Sequence, residues 1–187
     1  MPSFDIAGAK RWLRSFPSGN ISRRPDSELP FFDGNNLASQ GLLLDTCVYI
    51  DQMQGKLPDE IEEFLSKRHS YHSSVAVQEL AHSMGALDPN DPRTAHVQKV
   101  ISDTIESMTE HRTSVPDIDV LGRAAILNGV ICRLQHYSDD QKRKCLQDCT
   151  LFLQGLKGGF VILTRNVKDF DMCLQLVPAG RVLFYRV

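Results

Sequence analysis

No apolar run in this chain approaches the roughly 18 residues that a bilayer-spanning helix needs. Its first residues include Asp5 and hold no continuous apolar stretch, so neither a membrane span nor a secretory leader is expected, and a cytoplasmic location is. Cysteine is sparse. Cys47, Cys132, Cys145, Cys149 and Cys173 form no CxxC pair and lack histidines at zinc-finger spacing, which sets aside a disulfide framework or zinc ribbon and leaves reduced, mostly buried thiols. Glycine-rich phosphate-binding patterns are missing too, with no GxGxxG after the first strand and no GxxxxGK, so a nucleotide-cofactor enzyme has little support. The six histidines are scattered without an HExxH pair. Net charge is -2, so attraction for a polyanion has to come from a local patch.

What is present is the composition of one globular domain: 187 residues, 42% apolar and 24% charged, enough to bury one core and too few to require two. Residues 1 to 40 are the least domain-like part, with Pro17, Gly19, Pro25, Pro30 and Gly34 around a small Trp12, Leu13 and Phe16 cluster. Lys10, Arg11, Arg14, Arg23 and Arg24 make this arm basic, and it is expected to be a partly ordered N-terminal extension to a domain at 41–187, lying over that domain or touching a partner or RNA.

The domain opens on Leu42-Leu43-Leu44 followed by Asp45 and Thr46, the pattern of a buried strand that delivers its carboxyl end to a polar crevice. Pro58 to Leu65 starts a helix, with proline and acids in the first turn and an apolar stripe of Ile61, Phe64 and Leu65. Tyr71 to Ser73 reads as a short strand, and Ser74 caps the helix that carries Glu79. Two helices follow over about 92–137, then one from about Gln141 to Leu156 in which Asp148 adjoins the apolar stripe. Gly158-Gly159 stops that helix, Phe160 to Leu163 is a strongly buried strand, and its end meets the polar cluster from Thr164 to Phe170. Val182 to Tyr185 is the final strand. Strands alternating with helices in this way define an α/β sandwich on a mostly parallel sheet.

Set together, Leu42-Leu43-Leu44-Asp45-Thr46, Ala76-Val77-Gln78-Glu79-Leu80, Gln147-Asp148-Cys149 and Ile162 to Phe170 resemble, in order and spacing, the PIN-domain ribonucleases, and in particular the VapC-type toxins of bacterial toxin–antitoxin pairs. The resemblance covers about residues 41 to 175. It implies a PIN-like α/β/α sandwich in which Asp45, Glu79 and Asp148 are the catalytic, metal-binding acids, with Thr46, Thr164 and Asn166 in support. Some members carry aspartate at the position of Asn166, so either Asn166 coordinates weakly or through water while Asp169 completes the acidic cluster, or the site runs on three acids. A departure is the bulky run Thr150 to Leu153 after Asp148, where the family has small residues.

Three or four carboxylates in one pocket raise one another's pKa unless a cation joins them, and Mg2+ suits oxygen ligands, with Mn2+ as substitute. The implied activity is metal-dependent hydrolysis of RNA phosphodiester bonds, with Arg165, Lys168 and Lys144 as candidate phosphate contacts. The implied partners are an RNA substrate, a cognate antitoxin protein and a second copy of the chain, with no membrane. Two other readings stand beside this one: an RNA-processing PIN nuclease outside any toxin–antitoxin pair, and a catalytically silent PIN-like domain that binds RNA or protein.

Overall fold

The computed structural model describes residues 4–34 and 40–187. Among these, five strands pair in parallel throughout: β1 (Leu42–Leu44), β2 (Ser70–Ser73), β3 (Thr113–Ser114), β4 (Val161–Thr164) and β5 (Val182–Phe184), in the order β3-β2-β1-β4-β5. The helices are α1 (Ile6–Leu13), α2 (Thr46–Met53), α3 (Asp59–Ser66), α4 (Ser74–Gly85), α5 (Thr94–Glu106), α6 (Ile118–Gln135), α7 (Asp139–Gly158) and α8 (Val167–Leu176). The expected α/β/α sandwich is found. Three elements were not foreseen: α1 in the N-terminal extension, β3, only two residues long, and α2, which starts directly after Asp45 instead of leaving a loop.

Strand pleating distributes the core to both faces. Leu43 and Ile162 point, with Val182 and Phe184, into a cluster with Leu127, Ile131, Cys149, Phe152 and Phe170 from α6, α7 and α8. Their neighbours Leu42, Leu44, Val161, Leu163 and Leu183 turn the other way, onto Val48, Tyr49, Ile61, Leu80 and Ile101. Burial on both faces explains why β1 and β4 read as unbroken apolar runs. On the first face α7 comes close to the sheet at Gly155, where a Cβ would lie 2.8 Å from Ile162 Cγ1. The expected stop of α7 falls at Gly159, which takes φ 69° as its C-cap.

From β1 the chain moves outward to β2 and β3, then returns to the other side of β1 for β4 and β5. The reversal leaves a crevice beyond the carboxyl ends of β1 and β4, the switch point at which open parallel sheets place their ligands.

The described part of the N-terminal extension is laid against the domain. Leu29 belongs to the core, Trp12 and Phe16 meet edge to face at 4.7 Å and pack on the α6–α7 side, and Phe4 fills the space above Gly122. Phe32 N–H donates to Phe184 O at 2.7 Å and Phe184 N–H to Pro30 O at 2.9 Å, so the arm covers the open edge of β5. Arg24 is clamped by the buried Asp171, through its backbone N–H at 2.8 Å and its Nε at 2.7 Å. Residues 1–3 and 35–39 of the expected extension lie outside the described residues.

Candidate active site

Asp45 stands where β1 becomes α2. Its backbone N–H still donates to Leu163 O of β4 at 3.1 Å, while its side chain caps the helix, Oδ1 accepting from Thr46 N–H at 2.7 Å. Sheet pairing fixes its position and the cap fixes its rotamer. Oδ2 accepts from the Thr164 hydroxyl at the end of β4 and from the Cys47 thiol at 3.0 Å. Thr164 Oγ1 in turn accepts from Asn166 N–H at 2.9 Å.

The remaining acids reach the same crevice. Glu79 extends from α4, and its Oε2 accepts from the Thr46 hydroxyl. Asp148, from the middle of α7, and Asp169, from the first turn of α8, are joined by Asn166: its Nδ2 donates to Asp148 Oδ2 at 3.1 Å and to Asp169 Oδ2 at 3.2 Å. Asn166 Oδ1 caps α8 by accepting from Asp169 N–H at 3.4 Å, so its carbonyl serves the helix and its amide serves the acids. Tyr137 O–H donates to the other oxygen of Asp169 at 2.8 Å.

The electrostatics follow from crowding acids in a dehydrated crevice. Burial, then the charges of Asp45, Asp169 and Glu79, push the Asp148 carboxyl well above the ordinary carboxylate range. Asp45 is raised by burial, against the opposing pull of Thr164, Cys47, the Thr46 N–H and Arg165, and Glu79 is raised by burial and by Asp45 despite its bond from Thr46. The hydrogen-bond donors named here are hydroxyls, an amide, a thiol and a backbone N–H, none of which neutralises a carboxylate.

A divalent cation is the general remedy for such a cluster. Among the described residues, no three carboxylate, imidazole or thiol groups converge closely enough to hold one ion as the side chains stand. The oxygen donors nevertheless suit Mg2+ or Mn2+, which retain several waters and take only one or two direct carboxylates, so the fit is one of chemistry and not of a preformed cage.

The cations named from the sequence are placed unequally. Arg165 lies at the mouth of the crevice, where its N–H donates to Cys47 Sγ at 3.3 Å and its Nε pairs with the buried Asp51 at 2.8 Å. Lys168 Nζ sits 4.6 Å from the centroid of the Tyr137 ring, beside Asp169. Lys144 is exposed one turn before Asp148 on α7.

Sequence reasoning missed four groups: Cys47, which touches Asp45; Tyr137, which holds Asp169; and Asp51 with Tyr185, whose hydroxyl donates to Asp51 Oδ2 at 2.7 Å behind Arg165. Cys47 and Asp51 had a signal, since they fall within two turns of Asp45 on α2. Tyr137 and Tyr185 are brought in by tertiary packing and had none.

The strand order is that of the PIN fold. Solved structures similar to this chain in fold include VapBC and FitAB complexes. A chain of VapBC2 from Rickettsia felis, crystallised with a DNA fragment from their promoter, superposes with a TM-score of 0.53 at 11% identity, over 79% of this chain and 99% of that one. DNA-bound VapBC from Salmonella typhimurium gives 0.55 at 16% identity over 76% and 96%, and FitAcB from Neisseria gonorrhoeae 0.52 at 16% over 76% and 96%. The likeness is one of fold. No protein-family model matches the chain, and no curated protein matches it by sequence.

Proposed function

We propose that this chain is a divalent-metal-dependent endoribonuclease, the toxin of a toxin–antitoxin pair. The observation that carries the proposal is the gathering of Asp148, Asp45, Asp169 and Glu79 around one crevice at the switch point, linked by the neutral donors Thr46, Thr164 and Asn166. Such an arrangement is costly without a cation and useful with one.

In this reading Asp45 and Asp148 are the direct ligands, and Glu79 and Asp169 bind the ion or hold its water. Bound there, Mg2+ or Mn2+ supplies a water of lowered pKa and positive charge beside the scissile phosphate. The chain's own groups do the positioning. Thr46 and Thr164 orient Glu79 and Asp45, Asn166 spaces Asp148 from Asp169, and Tyr137 turns Asp169 toward the crevice. Arg165 and Lys168 flank the acids as phosphate contacts, with Lys144 further out on α7. Attack by water leaves a 5′-phosphate and a 3′-hydroxyl.

Partners enter by the likeness of fold. The structures it resembles include VapBC and FitAB bound to DNA. We infer a cognate antitoxin protein that silences this chain, and a homodimer in solution. One observation favours a catalytically silent PIN domain instead: Asn166 ties Asp148 to Asp169 and partly satisfies both.

The deciding experiment compares wild type with Asp45→Asn on RNA, with Mg2+, with Mn2+ and with EDTA. Metal-dependent cleavage by wild type, lost in Asp45→Asn, is expected. If wild type leaves RNA intact with either metal, the nuclease reading is wrong and the silent domain takes its place.

A further inference from the structure

Beside the acidic crevice lies an open cleft of about 340 Å3 whose walls come from three separated parts of the chain: Arg23, Asp26 and Phe31 of the N-terminal arm, Arg165 after β4, and Tyr185 and Arg186 after β5. We propose that this cleft is a nucleotide subsite, which binds the phosphate and base of the RNA residue next to the one cleaved. The choice of RNA as ligand rests on the nuclease reading. The arm's part in the cleft lies outside the segment that resembles PIN nucleases.

Three features suit a nucleotide. The first is charge. The guanidinium groups of Arg23, Arg165 and Arg186 share two side-chain carboxylates, Asp26 and Asp51, so guanidiniums outnumber acidic side chains there in a protein whose net charge is -2. Asp26 takes both Arg23 and Arg186, and Asp51 is wholly inside, 1% exposed and hydrogen-bonded by Tyr185, so it fixes Arg165 from behind. The guanidiniums are thus preorganised, which spares an incoming phosphate the ordering of long side chains.

The second is stacking. Arg186 lies over the Phe31 ring, 4.5 Å from its centroid, and Phe31 rests on the buried Phe184 at 5.6 Å. A guanidinium supported on one side by an aromatic ring offers its other side to a base, and bases of single-stranded RNA stack on such planes with little regard to sequence. An acidic peptide would use the arginines but gain nothing from the stack.

The third is continuity. Arg165 belongs to both places: its guanidinium lines the cleft, and its backbone N–H contacts the Cys47 sulfur that is bonded to Asp45. A strand with one phosphate at the acids therefore has its next residue directed at Arg165 and Arg186.

The test measures binding of a short fluorescein-labelled single-stranded oligoribonucleotide to the full chain by anisotropy in EDTA, where cleavage is off. Wild type should bind. Arg186→Gln and Phe31→Leu should each weaken binding about tenfold, within the range of a lost stacking contact. Arg186→Gln should also flatten the salt dependence by about 0.7 in slope for the phosphate contact removed. Arg186→Lys should restore the slope without restoring the stack. Because Arg186 also braces the arm through Asp26, Arg23→Gln serves as a second variant, and each melting curve confirms that the variant is folded. Unchanged affinity in Arg186→Gln and Arg23→Gln, or no binding by wild type, overturns the subsite. So does a polyglutamate peptide whose binding depends on Arg186 while that of RNA does not. Cleavage measured with Mg2+ on the same preparations separates the two proposals. Intact cleavage with Arg186-independent binding refutes the cleft alone, and absent cleavage with Arg186-dependent binding refutes the nuclease alone.

Discussion

Asp171→Ala should destabilise the protein and free its N-terminal arm. The Asp171 side chain is fully buried in α8 and accepts three hydrogen bonds, from Arg24 N–H at 2.8 Å, Arg24 Nε at 2.7 Å and Gln175 Nε2 at 2.9 Å. Breaking a buried ion pair costs about 3–5 kcal/mol when the remaining charge is stranded. Here the Arg24 side chain is 33% exposed and can turn to water, so the loss is smaller, about 2–3 kcal/mol, comparable to one or two hydrogen bonds to a charged group. For a chain of this length each kcal/mol moves the midpoint by roughly 2–4 °C, so a fall of about 4–12 °C is expected by calorimetry. Limited trypsin digestion should then cut first after Arg23, which the clamp holds against the domain; the Arg24–Pro25 bond itself resists trypsin. Because the arm carries Arg23, Asp26 and Phe31, RNA binding should weaken together with its docking. A midpoint within about 1 °C of wild type, with the arm equally resistant to trypsin, would refute the reasoning that this pair holds the arm down.

Three further outcomes are expected. Asp45, Glu79 and Asp148 have folded-state pKa values raised above their ordinary ones, so the folded state holds protons that the unfolded state has already released, and their contribution is lost as pH rises from the ordinary carboxylate range through the folded values. In EDTA, Asp148→Asn should therefore melt higher than wild type at neutral pH, by a margin that narrows as pH falls toward 5. His72, whose pKa burial lowers, acts in the opposite sense in both proteins and cancels in the difference. A margin that widens on acidification, in paired thermal scans, contradicts the cluster's electrostatics. Thr164→Val removes a donor from Asp45 and an acceptor from Asn166 N–H within the core, and should cost about 1–3 kcal/mol and raise the Mg2+ needed for thermal stabilisation. A wild-type magnesium titration in that variant would show the hydroxyl to be idle. Gly180→Ala would put a methyl 2.1 Å from Cζ of the fully buried Phe152, which would have to shift within the core, and should cost about 1–3 kcal/mol in a urea titration.

Much of the architecture was legible because its signals are local. Leu42–Leu44 and Val161–Leu163 are apolar at every position since each face of the sheet meets helices, and their ends are marked by Asp45 and Thr164, the first polar groups able to stand in the crevice. Helix α2 escaped notice because its cap is the site acid itself, so Asp45 read as an active-site residue hid its second role as a helix start. Strand β3 escaped because two residues carry no period. Docking of the arm was equally hidden: Leu29, Phe31 and Phe32 lie among prolines and charges, and the core, Phe64 and the edge of β5 become their partners through tertiary packing.

By itself, the sequence determined that acids would stand at strand ends and helix margins, because apolar periodicity dictates which side chains can be buried and leaves the others at the boundary. Only the tertiary structure decided which of them meet. Thr164 reaches Asp45 across 119 residues, Asn166 turns its amide rather than its carbonyl toward Asp148 and Asp169, and Asp51 draws Arg165 to the mouth of the crevice. The physical reason is that local pattern is set by a few neighbouring residues. A hydrogen bond within a crevice is set by the closure of the whole sheet, which brings the ends of β1 and β4 together.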